Sequence, residues 1–110
     1  MEDRWITQVR KGLLELCILD ILRGETLYGY EIVKRLTAIP ELVISEGTIY
    51  PILNRLKEEG LLTSSLQESK QGPVRKYYKP TELGLRKVDQ MNAHWKELNQ
   101  SLSTLIGEEK

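Results

Sequence analysis

The stretch SEGTIYPILNRLKEEGLL, Ser45 to Leu62, opens as a helix opens and closes as a helix closes. Ser45 is a good N-cap residue, Ile49, Ile52, Leu53 and Leu56 recur on one stripe, and Gly60 supplies the C-terminal stop. The opposite stripe holds Thr48, Tyr50, Pro51, Asn54 and Lys57. A tyrosine and a proline stand there where solvent alone would favour small or charged residues. Counted from Ser45, the proline lies past the first turn, where its missing N–H removes a backbone bond, so a distorted helix start is expected. A helix built this way has a use for its outer face.

Upstream, the helical signal runs from about Thr7 to Leu22. Its apolar residues, Leu13 through Leu22, spread around more than one face, so two sides of this helix need cover. Arg23-Gly24-Glu25 ends it. Thr26 is placed to cap a second helix in which Tyr28, Ile32, Val33 and Leu36 recur, with Lys34 and Arg35 outside. Gly29 costs that helix roughly 1 kcal/mol relative to alanine, which a tight helix crossing would explain. Ala38 to Ile44, with Pro40, reads as a connection containing at most a brief extended piece.

Downstream of Gly60 the period changes to an extended one. Leu61–Glu68 and Lys76–Lys79 flank the polar turn SKQGP, whose Gly72-Pro73 is a strong breaker. Lys70, Arg75, Lys76 and Lys79 surround that turn in a segment without acids, which makes a hairpin with a basic tip. Thr81-Glu82-Leu83 restarts a helix, along which Val88, Met91, Trp95, Leu98, Leu102 and Leu105 follow in steps of three and four. That spacing is a short coiled-coil seam. The first helix, through Leu13 and Cys17 on its surplus apolar face, is its natural companion.

Composition narrows the function. Sixteen basic residues balance sixteen acidic ones, which excludes indiscriminate coating of polyanions but leaves the hairpin locally basic. The longest apolar run is broken by Glu15 and Asp20, too polar for a membrane span or signal core, and the chain is expected in the cytoplasm. Cys17 reads as a small buried hydrophobe, and the lone His94 lacks companions at zinc-ligand spacing. No nucleophile–base set, phosphate-cradling loop or carboxylate pair is present. An enzyme is not expected, nor is a metal or cofactor.

The order helix, helix, helix, hairpin, long helix gives a mainly α fold with a small β-hairpin: a winged helix-turn-helix over residues 1–80 and a C-terminal dimerisation helix over 81–110. In such a fold the third helix enters the major groove and the hairpin flanks it. Thr48 and Asn54 then offer hydrogen bonds to bases, while Tyr50 reaches a phosphate and covers a sugar or a thymine methyl. The basic wing supplies salt-sensitive phosphate contacts. A two-fold dimer would place two such helices about one duplex turn apart. Burying Trp95 in that dimer contributes several kcal/mol, from ~200 Å² at ~25 cal/mol per Å², an upper estimate.

The segments KGLLELCILDIL, LYGYEIVKRL, SEGTIYPILNRLKEEGLL and GPVRKYYKPTELG, in this order, resemble the PadR-like transcriptional regulators of bacteria, in the short subfamily with one C-terminal helix. The resemblance implies a homodimeric winged-helix repressor on an inverted-repeat operator in double-stranded DNA. Its YGYEI and GTIYP positions imply DNA contacts by Tyr28, Lys34, Ser45, Thr48, Tyr50, Pro51 and Asn54, with Lys70, Arg75 and Lys76 on the wing. It implies dimer contacts through the first and last helices: Leu13, Cys17, Val88, Met91, Trp95, Leu98, Leu102 and Leu105. Some relatives use an aromatic residue of the last helix in an effector pocket between subunits. Trp95 holds a comparable place and is read either as interface core or as a contact for a small aromatic effector. The competing reading is a winged-helix adaptor that binds a protein and no specific DNA.

Overall fold

The computed structural model describes residues 3–42, 44–69 and 72–107. The chain runs α1 (Arg4–Ile21), β1 (Leu27–Tyr28), α2 (Gly29–Thr37), a 3-10 turn (Pro40–Leu42), α3 (Glu46–Glu58), β2 (Leu62–Ser69), β3 (Gly72–Pro80) and α4 (Glu82–Leu105). The strands form one antiparallel sheet in the order β1-β3-β2. This is the winged helix-turn-helix with a long C-terminal helix expected from the sequence.

The helical stripes do what their spacing requires. Leu14, Ile18, Leu19 and Leu22 from α1 and its cap meet Ile32, Val33 and Leu36 from α2 and Ile49, Ile52, Leu53 and Leu56 from α3, closed by Leu62, Tyr78 and Val88. Each fully buried aliphatic side chain contributes about 1.5–3 kcal/mol. No buried polar side chain interrupts this core among the described residues.

Several boundaries differ from expectation, each for a local reason. Helix α1 starts earlier than Thr7 because Asp3 caps it, its carboxylate accepting from the N–H groups of Trp5 at 2.8 Å and Ile6 at 3.2 Å. Thr26 caps nothing. Leu27 and Tyr28 are drawn into the sheet opposite Tyr78 and Tyr77, and Tyr28 becomes the N-cap of α2, its N–H donating to the Glu31 carboxylate at 3.1 Å. The connection before α3 winds into a 3-10 turn at Pro40–Leu42 instead of extending.

Gly72-Pro73, expected in the hairpin turn, opens β3 instead. The register slips between Gln67 and Ser69, so that Pro73 and Val74 face Glu68 alone. A proline lacks the donor a ladder needs, and a bulge is the place in a strand that tolerates it.

The base of α4 is locked to the end of the hairpin. Thr81 Oγ1 accepts from the Gly84 N–H at 3.0 Å and donates to the Gly60 carbonyl at 2.6 Å. A Cβ on Gly84 would lie 2.0 Å from the Leu61 carbonyl oxygen. In an open helix Gly→Ala stabilises by about 1 kcal/mol. Gly84→Ala is expected to do the reverse, lowering unfolding free energy by about 1–3 kcal/mol as α4 is pushed off Leu61. Chemical denaturation monitored by circular dichroism checks the sign.

Candidate nucleic-acid interface

Helix α3 presents the expected outer stripe. Thr48, Pro51, Asn54 and Lys57 are exposed and Tyr50 is half-buried. Ser45 is the N-cap by backbone, but its hydroxyl does not hold a helix N–H; it pairs with the Thr48 hydroxyl at 3.1 Å. The first turn is tightened, the Thr48 N–H bonding to the Ser45 carbonyl at 3.0 Å. Pro51 leaves the helix continuous from Glu46 to Glu58. The start is therefore tightened rather than broken, and two exposed hydroxyls stand at the N-terminal end of the helix.

Tyr50 is seated by a residue from the preceding helix. A methyl group on Gly29 would lie 2.8 Å from Tyr50 Cε1 and 3.2 Å from its phenol oxygen, so only a bare glycine lets the ring rest on the start of α2. Around this contact lies an open cavity of about 310 Å³ lined by Tyr28, Gly29, Tyr30, Tyr50, Arg75, Lys76 and Tyr78. The Arg75 guanidinium sits 4.3 Å above the Tyr28 ring. Tyr77 meets the same ring edge-on at 5.5 Å and Tyr30 stacks beside it at 6.5 Å. Lys34 lies 5.8 Å over Tyr30. Such cation–ring contacts contribute about 0.5–1 kcal/mol at exposed sites. They hold two cations over an aromatic floor without neutralising them.

Tyr28, Tyr50, Arg75 and Lys76 thus converge on one cavity, with Lys34 at its edge through Tyr30. Ser45, Thr48, Pro51 and Asn54 extend along α3 beside it, and Lys70 lies outside the described residues. Gly29, Tyr30 and Tyr78 belong to the cavity and were not among the expected contacts. The pattern Tyr-Gly-Tyr was the available signal, because it flanks a residue without a side chain with two rings. Burial, then the Glu46 carboxylate, pushes the Tyr50 phenol above its ordinary range; burial, then Tyr50, does the same for Tyr78. Both stay neutral O–H donors at physiological pH, the form suited to a phosphate oxygen.

A second surface lies between α1 and α4. An apolar groove of about 340 Å³ is bounded by Leu13 and Leu16 on one side and Met91, Trp95 and Leu98 on the other, with His94 at its margin. Trp95 and Leu98 are each 42% exposed, Leu102 48% and Leu105 79%. Cys17 is half-buried beside Leu16, and burial, followed by Asp20, raises its thiol. Val88 is 1% exposed and belongs to the chain's own core; it anchors the seam from below and presents nothing outward.

The sequence profile of the transcriptional regulator PadR-like family matches residues 18–90. A PadR-like transcription factor from Bacteroides fragilis is 43% identical, with 94% of this chain and 99% of that one aligned at a TM-score of 0.77. A PadR-like transcriptional regulator from Bacillus cereus is 38% identical over 91% and 97% of the two chains, at a TM-score of 0.80. The transcriptional regulator YqjI of Escherichia coli is 34% identical over 88% of this chain, which spans 42% of that longer protein.

The raised phenols give a pH expectation. Spectrophotometric titration should show late-ionising phenol, and Tyr50→Phe and Tyr78→Phe should each remove one late step. The sign follows from linkage: a raised folded-state pKa contributes stability that is present below about pH 10, the unfolded value, and is lost as pH climbs through the folded one.

Proposed function

We propose that this chain, which belongs to the PadR-like family of transcriptional regulators, is a homodimeric repressor of an inverted-repeat operator. It binds DNA to regulate transcription and is not an enzyme. The observation that carries the finer reading is the joining of the recognition helix to the wing through one aromatic, cationic cavity. Tyr50 from α3, Tyr28 from α2's cap, and Arg75 and Lys76 from β3 can take hold of a single stretch of phosphate backbone. Once that stretch is fixed, the Ser45–Thr48 hydroxyl pair and Asn54 face base edges.

Dimerisation is supported by the unpartnered row Trp95, Leu98, Leu102 and Leu105 along the outer half of a helix of 24 residues. Water contact with such a row is costly, and a second copy packed on it would bury the row and the groove floor at Leu13 and Leu16 together. The same groove is broad and flat enough for an aromatic effector against Trp95. Filling it would change how the two copies sit and hence the separation of their recognition helices. The setting is the cytoplasm, and no described helix is long and apolar enough to cross a membrane.

The experiment is fluorescence anisotropy on the duplex upstream of the protein's own gene, against scrambled DNA, across a salt series. Sequence-dependent binding with a steep salt slope is expected. Tyr50→Ala should abolish most of it while sedimentation still shows a dimer; unchanged operator affinity would remove Tyr50 from the interface. For the effector, a Trp5→Phe protein leaves Trp95 as the sole indole. Planar aromatic compounds should quench it and weaken operator binding at the same concentrations, and quenching without that weakening would sink the effector role.

A further inference from the structure

The wing carries an apolar surface that the core does not use. Its register sets Leu62 opposite Pro80, Ser64 opposite Tyr78 and Leu66 opposite Lys76. Strand side chains alternate, so Leu62, Ser64, Leu66, Lys76 and Tyr78 share one face. At the base of the hairpin that face is core, with Leu62 2% and Tyr78 3% exposed. Farther out it carries Leu66, 71% exposed, across from Lys76, and the strand then reaches Val74, 53% exposed, two residues along from Lys76 at the register slip. Lys76 also lines the cavity that holds Tyr50. The apolar stretch therefore continues outward from the side on which the recognition helix presents its tyrosine.

Isolated exposed aliphatics are ordinary. Here Leu66 stands directly across from Lys76 and Val74 lies two residues along from it, with Arg75 adjacent on the strand. The partner with matching chemistry is a polyanion whose charges are separated by apolar steps. In a duplex backbone, deoxyribose rings lie between successive phosphates. We propose that Leu66 and Val74 rest on deoxyribose rings of the bound duplex while Lys76, across from Leu66, reaches an adjoining phosphate, so that part of the wing's affinity does not depend on salt. This rests on the DNA-binding reading above. Glu68, which Val74 faces across the register slip, sets the outer limit of the contact, since its carboxylate would repel phosphate.

The two kinds of contact separate in a salt titration. Releasing counterions from a phosphate contributes about 0.9 to the log–log slope, and covering a sugar contributes nothing to it. On the upstream duplex, Leu66→Ser should weaken binding about threefold per wing, about tenfold for a dimer, at every salt concentration and with the wild-type slope. Lys76→Gln should instead flatten the slope by about two for a dimer. Leu66→Met, which keeps the apolar area, should bind as wild type. Because Leu66 is exposed, its serine variant should melt as wild type, which separates this effect from misfolding.

Wild-type affinity for Leu66→Ser at all salts would overturn the proposal, even if that substitution changed sedimentation and so assigned the patch to a second copy. So would a flattened slope in Leu66→Ser, which would make Leu66 only a support for Lys76. If the wild-type protein bound no duplex at any salt, the DNA-binding reading itself would fail, and the proposal with it.

Discussion

Three elements meet at Thr81, and their relative placement follows from what that residue and its neighbours can accept. The Thr81 N–H donates to the Leu61 carbonyl at 3.1 Å, its hydroxyl donates to the Gly60 carbonyl, and the Gly84 N–H donates to that hydroxyl. The end of α3, the base of the hairpin and the first turn of α4 are tied in one knot. Gly60, at φ 79°, makes the reversal that brings Leu61 there. Gly84 makes the close approach possible from the other side. With these groups satisfied, α4 can leave the sheet in only one direction. The seam on α4 is thereby given a fixed attitude to the recognition helix, and without that a dimer could not present two such helices at a defined spacing.

Much of this architecture is legible in the sequence, and what is not has a common cause. The stripes Ile32-Val33-Leu36 and Ile49-Ile52-Leu53-Leu56 announce themselves because a helix repeats its own geometry every few residues. β1 does not, because Leu27 and Tyr28 are a strand only through pairing with Tyr78 and Tyr77, some fifty residues away in the chain. The same pairing converts Tyr28 into a helix cap and strips Thr26 of that role. Gly72-Pro73 carries a breaker's signature and is absorbed by a bulge, a possibility that depends on what lies opposite. The site divides along the same line. Tyr50, Thr48 and Asn54 could be picked out as an odd outer stripe, whereas Gly29's role as the seat of Tyr50 is a contact between two helices that neither helix encodes alone.

A chain with no net charge can still serve a polyanion when its cations are held in place rather than numerous. Arg75 and Lys34 are each held over a tyrosine ring, so the ordering of these long side chains is partly settled before DNA arrives. Arg35, by contrast, is bonded to Glu25 at 2.6 Å and Arg55 is paired with Glu15. Those charges are spent inside the fold. The contrast matters for discrimination: a few positioned cations give affinity only where backbone, wing and helix all fit, whereas a broadly basic surface would bind any duplex almost equally well.

Helix α1 joins the two surfaces. Its buried stripe, Leu14 and Ile18, packs into the core shared with α3, while Leu13 and Leu16 turn toward the groove against α4. Polar ties flank the buried stripe: Arg10 Nε donates to the Glu41 carbonyl at 3.1 Å in the turn before α3, and Glu15 pairs with Arg55 near the end of α3. Exposed pairs of this kind contribute at most about 1 kcal/mol each, so the apolar stripe does the holding and the ties select its register. At the far end of α1, Asn92 donates to Asp20 at 2.9 Å, and Arg23 pairs with Asp89 at 2.9 Å, fixing the helix to α4. A well-packed interior does not deform smoothly. The groove wall that α1 forms therefore belongs to a helix already wedged against α3. A small rotation of α1 must then be paid for in the core or passed on to α3.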